Sequence, residues 1–448
     1  MDTKKIIGGA VAIAAIAAAA YYGTSKAKAA DMGGSCCSDL EDRIAELEAT
    51  TARKGNRKVS LEVSGYVSHS VMMWDDGGLS DTYIGDGGAV SSRFRFTGKA
   101  KMTPNLTAGF TYEFGINNNA LGSMTQGVGG DDLGGAVSLR DSTVWMRHKN
   151  LGMVKIGHGS TATDNLILVD LSGAGVVMTP DVGLFNGNFG SRISSVSVNG
   201  TPVPIVAGLL TPLTWGQIIN GGTSFDTARR NHVLYESPSL AGFTLQASVA
   251  ENEFWDVALR YAGEFGGFRF AAGIGHSVDK EAPTFGPFGL TATDMKETKG
   301  SASLMHVNSG LFVNVAAGMR EIGWSVNAGL GHTLTAKDAT FWHVGGGWSK
   351  NIFGIGNTIL FAEYMNADDF LGYSLSGPIV NGSTSSEAAM WGVGIVQKVD
   401  AAAMELFLSY KRYEADLGLT GAANGGTLAI DAQMHDFSAV IGGARISF

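Results

Sequence analysis

The sequence predicts an all-β fold: a transmembrane antiparallel β-barrel of about 16 strands, preceded by a short helix. Three observations lead to this prediction. Runs of alternating apolar and polar residues recur along the chain, short and long connections alternate between the runs, and the composition is unusual. Charged residues are 16% of the 448 residues and glycine accounts for 64, against roughly 25% charged and roughly 7% glycine in average chains. This composition suits many tight turns and a large lipid-facing surface.

Residues 1–29 have the pattern of a secretory signal peptide. Lys4 and Lys5 precede an apolar run, and the A-x-A site that ends at Ala29 predicts cleavage before Ala30. A membrane anchor is the alternative, but the run of about 15 apolar residues is shorter than the roughly 20 that a helical span needs. Cleavage would remove four lysines and one aspartate, which takes the net charge from −9 to −12. An acidic mature chain argues against a nucleic-acid partner.

Residues 30–56 are predicted to form a periplasmic segment with a short coiled-coil helix. Leu40, Ile44 and Leu47 are spaced four and three apart, which is a heptad seam. A helix this short is marginal in water, so we expect it to pack on copies of itself or on the barrel, the alternative being a frayed helix of no consequence. The adjacent Cys36 and Cys37 cannot easily form an unstrained bridge with each other. An interchain disulfide, a lipid attachment and no role in activity are the three interpretations.

Residues 57–448 are predicted to form one barrel domain, because the sequence period there becomes two. Residues 106–114 and 243–249 show the alternation most clearly, with the length of membrane-spanning strands. The connections alternate between tight turns, such as Gly266-Gly267, and longer polar loops, of which residues 159–229 are the longest. Short periplasmic turns and long external loops are typical of outer-membrane barrels. This pattern predicts that both chain ends lie on the periplasmic side.

Four stretches resemble the alphaproteobacterial family of general trimeric porins. They are residues 36–67, NLGMVKIGHGST (150–161), RRNHVLYESPSLAGF (229–243) and the C-terminal GGARISF. The terminal Phe448 looks like the signal that the barrel-assembly machinery reads. The resemblance implies a homotrimer in the bacterial outer membrane, among lipid and lipopolysaccharide, through which small hydrophilic solutes and ions diffuse passively. It also implies that residues 159–229 are the third external loop, folded into the lumen. The apolar middle of this loop suits packing on a neighbouring subunit or extra strands.

Charged side chains are predicted to line the lumen, because a basic residue on the lipid face costs roughly 2–4 kcal/mol at the membrane midplane. The stretch RFRFTGKAKM (93–102) places its basic residues on one face of a strand. The basic candidates are Arg93, Arg95, Lys99, Lys101, Arg140, Arg147 and Arg230 or its neighbour Arg229; the acidic candidates on the loop are Asp164, Asp170, Asp181 and Asp226.

Two interpretations of these charges are open. Opposed basic and acidic groups would form a constriction with a transverse electric field. Alternatively, each arginine pairs with a loop carboxylate and holds the loop in place. Arg93 and Arg95 are favoured for the constriction, because Lys99 and Lys101 lie nearer the periplasmic mouth.

The sequence predicts no catalytic residues, no cofactor and no metal site, and the chain is not expected to be an enzyme. HGSTATD (158–164) brings His158, Ser160 and Asp164 close in sequence, but the context of a serine nucleophile is missing. The Asp-Gly clusters do not match a calcium-binding loop. The alternatives to a diffusion channel are a substrate-selective channel with a binding site at loop 159–229, an enzyme at the rim, and a tether.

Overall fold

The computed structural model describes residues 59–448, with gaps at 88, 90, 118, 134, 205–209, 222–223, 227–228, 281–283, 286–289, 292–293, 324, 330–331, 377–379 and 424–425. The predicted signal peptide, its cleavage site at Ala29 and Ala30, the two cysteines and the predicted helix of residues 30–56 lie outside the described residues.

Sixteen antiparallel strands form one closed barrel, which confirms the predicted fold. The strands are β1 (Ser60–Asp75), β2 (Arg93–Thr103), β3 (Leu106–Asn117), β4 (Ala136–His148), β5 (Gly152–Gly159), β6 (Arg230–Glu236), β7 (Phe243–Ala250), β8 (Trp255–Phe265), β9 (Phe268–Asp279), β10 (Asp294–His306), β11 (Leu311–Gly323), β12 (Ala339–Lys350), β13 (Thr358–Asp368), β14 (Val380–Val399), β15 (Met404–Ala423) and β16 (Phe437–Ser447).

The two ends of the chain meet at the seam of the barrel. Strand β16 pairs with β1 from Tyr66–Ser447 to Asp75–Ser438. Beyond the last pair, Phe448 and Gly65 exchange two backbone N–H···O=C hydrogen bonds of 3.0 Å. A Cβ atom at Gly65 would lie 2.4 Å from the carbonyl oxygen of Arg93 and 2.8 Å from the Phe448 ring. Glycine is therefore required at this close approach.

Short turns and long loops alternate around the barrel, as the sequence predicts, except that residues 251–254 form a short connection on the side of the long loops. The short turns lie at one end of the barrel, which we call the turn end, and the opposite end is the loop end. At the turn end, Gly266 and Gly267 join β8 to β9 with φ angles of 55° and 81°, which glycine adopts without steric cost. At the loop end, β14 and β15, each of 20 residues, extend as a hairpin beyond the wall.

Further strands lie at the loop end, and all but Thr284–Phe285 and Leu290–Thr291, which form a separate two-stranded sheet, extend the wall. They are Ser80–Asp86, Gly190–Val198, Thr201–Pro202, Leu210–Thr214, Thr284–Phe285, Leu290–Thr291, Ser325–Gly329, His332–Ala336, Tyr373–Ser376 and Gly426–Met434. Gly190–Val198 pairs with Gly426–Met434, so part of loop 159–229 does form extra strands. The helical segments are Leu121–Ser123, Gly130–Asp132, Val182–Leu184, Trp215–Asn220 and Asp400–Ala402. Among the described residues, no helix has both the length and the apolar character to cross a membrane.

The largest apolar core lies inside the barrel. Residues 160–189 and 215–221 of the loop between β5 and β6 pass along the inner wall, and their apolar side chains pack on inward-facing residues of β10–β16 and β1. The ring of Phe189 contacts Trp74 of β1 and Phe437 of β16, with centroid distances of 5.0 and 4.9 Å. Trp215 packs on Tyr413 of β15 at 6.1 Å. The loop is therefore held by burial of apolar surface, the largest favourable term in folding.

A buried ion pair lies beneath the loop. Lys411 of β15 donates to Glu363 of β13, and the Nε2 atom of His343 is 3.0 Å from the same carboxylate; all three side chains are buried. The Lys411 ammonium also lies 4.7 Å from the centroid of the Phe185 ring of the loop. These contacts compensate the charges within the core and join the loop to the wall.

We expect Glu363→Ala to lower the free energy of unfolding by about 3–5 kcal/mol, because it leaves the Lys411 ammonium buried without its carboxylate. The matched control is Glu264→Ala, which removes an exposed ion pair with Arg269 of 2.8 Å and should cost at most about 1 kcal/mol. Urea-induced unfolding in detergent micelles, followed by tryptophan fluorescence, measures both values. Equal losses for the two variants would contradict a supporting role for the buried pair.

Candidate functional site

Three arginines on the inner wall converge on one carboxylate. Glu113 of β3 accepts a 2.8 Å hydrogen bond from the Nε atom of Arg95 and another of 2.8 Å from the Nε atom of Arg140. The Nη1 atom of Arg93 is 3.3 Å from the same carboxylate. A β-bulge between β3 and β4, at Glu113 and Phe114, shifts the register where Arg140 projects. Because one carboxylate faces three guanidinium groups, this cluster has an excess of positive charge.

The wall around this cluster is also basic. The Arg93 guanidinium lies 5.0 Å from the centroid of the Tyr66 ring, and Arg445 of β16 lies 5.1 Å from the same centroid. Next along β4, the carboxylate of Asp141 accepts a hydrogen bond of 2.6 Å from Thr143 and interacts electrostatically with Lys155. Arg445 also pairs with Glu405. Even so, Arg93, Arg95, Arg140, Arg445 and Lys155 outnumber the three carboxylates of Glu113, Asp141 and Glu405 in this part of the wall.

The other basic candidates lie apart from the cluster. Arg230 donates to Asp279 and lies 4.3 Å from the centroid of the Phe254 ring. Lys99 lies 3.5 Å from Glu62, and Arg147 lies 2.9 Å from Glu236. Lys99 and Lys101 lie close to the turn between β2 and β3, and Arg147 lies one residue before the end of β4, so all three lie near the turn end.

The acidic candidates on the loop serve mainly to shape it. Asp170 accepts hydrogen bonds from the backbone N–H groups of Ser172 and Gly173 at 2.7 and 3.1 Å, and from the Asn314 side chain at 2.8 Å. Asp181 accepts from the Ser224 hydroxyl. Asp164 is buried, with one oxygen 3.9 Å from Arg229, which is the predicted pairing of an arginine with a loop carboxylate.

Asp226 lies beside Asp164 in the loop. Its two carboxylate oxygens accept the backbone N–H of Asn165 at 2.8 and 3.0 Å. Burial, followed by the neighbouring charge of Asp164, raises the pKa of the Asp226 carboxyl well above its usual range. Burial also raises the pKa of Asp181. Both groups therefore hold their negative charge less readily than ordinary carboxylates.

A cavity of about 710 Å³ lies between the basic wall and the loop. It brings together Arg93, Arg140, Arg229 and Arg230 with Asp164, Asp170, Asp181 and Asp226. Within the described part of the chain, Arg95, Lys99, Lys101 and Arg147 are not among the lining residues. A constriction made by these opposed groups stays a prediction, but the structure juxtaposes three of the predicted arginines and all four aspartates.

Sequence reasoning missed the residues that anchor the loop. Arg320 of β11 donates to the backbone oxygens of Asn220 and Ser224 at 2.7 and 2.9 Å, and Lys299 of β10 donates to that of Phe225 at 2.8 Å. It also missed Glu113, although Glu113 alternates with the apolar residues of residues 106–114 and so belongs to the inward face. That alternation was the available signal for Glu113. The contacts of Arg320 and Lys299 with the loop backbone leave no local pattern in the sequence.

Comparison with known proteins identifies the class of channel. A model of the Gram-negative porin family matches residues 9–438. The chain belongs to the Gram-negative porin family. It is therefore an outer-membrane channel for passive diffusion, as the sequence resemblance implies.

Solved porin structures share the fold of this porin. The anion-selective porin from Comamonas acidovorans is 16% identical, with 87% of this chain and 100% of that chain covered and a TM-score of 0.53. In-vitro folded OmpT of Vibrio cholerae is 14% identical, with 88% and 99% covered and a TM-score of 0.52. At such identities the likeness concerns the fold alone. A comparison with curated proteins found no match.

We expect the ion selectivity of this porin to shift toward anions as the pH falls, and Asp226 to supply part of the change. Because its pKa is raised, Asp226 takes up a proton at a higher pH than an ordinary aspartate does. As the pH is lowered, the lumen therefore loses this negative charge before it loses those of ordinary carboxylates. Reversal potentials in a KCl gradient, measured at stepped pH, test this. The variant Asp226→Asn should lack the part of this selectivity shift that protonation of Asp226 causes. The control variant Asp131→Asn, at an exposed position, should retain it. A profile of Asp226→Asn identical to that of the unmodified porin would contradict the assignment.

Proposed function

We propose that this porin is a homotrimeric, non-enzymatic diffusion channel for small hydrophilic solutes with a preference for anions. The observation that carries the proposal is the cluster of Arg93, Arg95 and Arg140 around the single carboxylate of Glu113. Charged groups that line a pore set its ion selectivity, and a positive lumen attracts anions.

The uneven exposure of the two charge signs supports this preference. The Arg95 side chain is half exposed, whereas Glu113 and Asp164 are each only 4% exposed. Asp170 uses its carboxylate within the loop. Mobile ions therefore meet guanidinium groups more readily than carboxylates. The Comamonas acidovorans porin, which has the same fold, is described as anion-selective.

Trimer formation is supported by the structural neighbours and by the outer surface. OmpT of Vibrio cholerae, of the same fold, has been solved in a trimer form. On the outer face of β2 and β3, aromatic residues form a continuous patch that suits either lipid or a neighbouring subunit; its members are Phe94, Phe96, Phe110, Tyr112 and Phe114. In the proposed orientation the turn end, with Phe448, faces the periplasm, where Phe448 acts as the signal for the barrel-assembly machinery.

Replacing Arg93 and Arg95 together by glutamine should shift the reversal potential toward cation preference. Salt screens these charges, so each lost charge changes the energy of an ion in the lumen by about 0.1–0.25 kcal/mol. Two lost charges act with opposite sign on anions and cations, so the anion-to-cation permeability ratio should fall about twofold to fivefold. The control is Arg269→Gln, at the turn end and paired with Glu264. Unchanged selectivity in the double variant, measured in planar bilayers, would remove these arginines from the selective region, and a purified protein without conductance would overturn the channel itself.

Deletion of residues 30–56 should lower the temperature at which the trimer dissociates, because the predicted coil joins the three chains on the periplasmic side. Native mass spectrometry in detergent gives the number of chains, and semi-native gels of heated samples give the dissociation temperature. A control with Leu40, Ile44 and Leu47 replaced by serine should reproduce the loss if the seam is responsible. A protein that is monomeric before heating would contradict the trimer.

A further inference from the structure

The surface of the loop that faces the basic wall carries apolar side chains. Leu168 is 38% exposed, and the neighbouring Val169 is half-buried. Both line the same cavity as Arg93 and Arg140. An exposed leucine inside a water-filled channel is not explained by the stability of the loop, because its neighbour Ile167 is already buried in the core.

The two surfaces lie on opposite sides of the lumen. The backbone N–H of Val169 donates to the Ser301 hydroxyl at 3.3 Å, and that of Leu171 donates to Ser303 at 3.0 Å, so this part of the loop lies on β10. Strand β10 is eight positions from β2 in a closed barrel of sixteen strands. Arg93 on β2 and Leu168 on the loop therefore face each other across the channel.

The carboxylates that line the cavity have contacts of their own. Asp164 is buried against Arg229, and the Asp170 carboxylate accepts hydrogen bonds from the loop backbone and from Asn314. Asp181 accepts a hydrogen bond from Ser224, Asp226 accepts the backbone N–H of Asn165, and Glu297 pairs with Lys299 and Arg320. On the opposite wall, one carboxylate cannot satisfy the five N–H donors of each of three guanidinium groups. A solute in the cavity thus meets guanidinium donors on one side and hydrocarbon on the other.

We propose that the cavity is a binding subsite for organic monocarboxylates with an apolar body. The carboxylate contacts the guanidinium groups of Arg93 and Arg140, which match its geometry, while the apolar part contacts Leu168 and Val169. The inference rests on the proposed anion preference and adds to it a class of solute. Binding must be weak for passage to continue, because conduction requires that a solute also leaves.

The test compares three solutes in planar bilayers that contain the full-length porin. Benzoate carries both features, acetate carries only the charge, and benzamide carries only the ring. The expected result is that benzoate interrupts the chloride current with longer blocks than acetate or benzamide do. If benzoate and acetate behave alike while the channel still prefers anions, the subsite is refuted and the proposed function stands. Loss of anion preference itself would refute the proposed function.

Variants separate the two contacts. Leu168→Asn should weaken benzoate block about threefold to tenfold, as expected for loss of a partial apolar contact, with a smaller effect on acetate. Arg93→Gln should weaken the block by both anions. The matched control Leu151→Asn changes an exposed leucine in the turn between β4 and β5 and should leave all three solutes unaffected. Equal effects of Leu168→Asn on benzoate and acetate would overturn the apolar contact.

Discussion

Backbone hydrogen bonding in the absence of water is the constraint on which this structure depends. In the hydrocarbon layer each N–H and C=O group must pair within the protein, and a closed barrel of strands achieves this. The seam between β1 and β16 completes the closure, and the paired backbones of Gly65 and Phe448 extend it to the last residue. A glycine is needed at that point because the neighbouring strand and the terminal ring leave no room for a Cβ atom.

Closure of sixteen strands leaves a wide interior. In this chain the loop fills one side of that interior, and the other side stays open. Along β12–β16 and β1 the inward residues are largely apolar and are covered by the loop, with Phe189 and Trp215 in the resulting core. Along β2–β6 the inward residues are largely polar and charged, and the lumen remains open there. The position of the channel is thus decided by where the loop packs.

Charge within the lumen follows the same division. Buried ions occur where the loop covers the wall, and they are compensated in compact clusters such as Glu363 with Lys411 and His343. On the uncovered wall, three arginines share Glu113, and compensation is incomplete. In the proposed function the selectivity of the channel therefore arises from the wall, while the loop supplies shape and an apolar surface. The constriction with opposed basic and acidic groups stays a prediction, and the loop aspartates that would supply its acidic side line the cavity opposite Arg93 and Arg140.

The sequence by itself determined the barrel, the order of its turns and loops, and the inward face of strands such as β2, because alternation and turn residues are local properties. Basic residues at 93, 95, 99 and 101 follow that alternation, so their direction was predictable. Strands β12–β16 are apolar on much of both faces, so their alternation was weaker. Only the tertiary structure decided the path of the loop and the pairing of Arg140 with Glu113. The path of the loop depends on contacts such as that between Tyr413 and Val182, which are 231 positions apart. The pairing of Arg140 with Glu113 depends on a β-bulge. Neither leaves a periodic signal, because each is set by which surfaces meet after the barrel has closed.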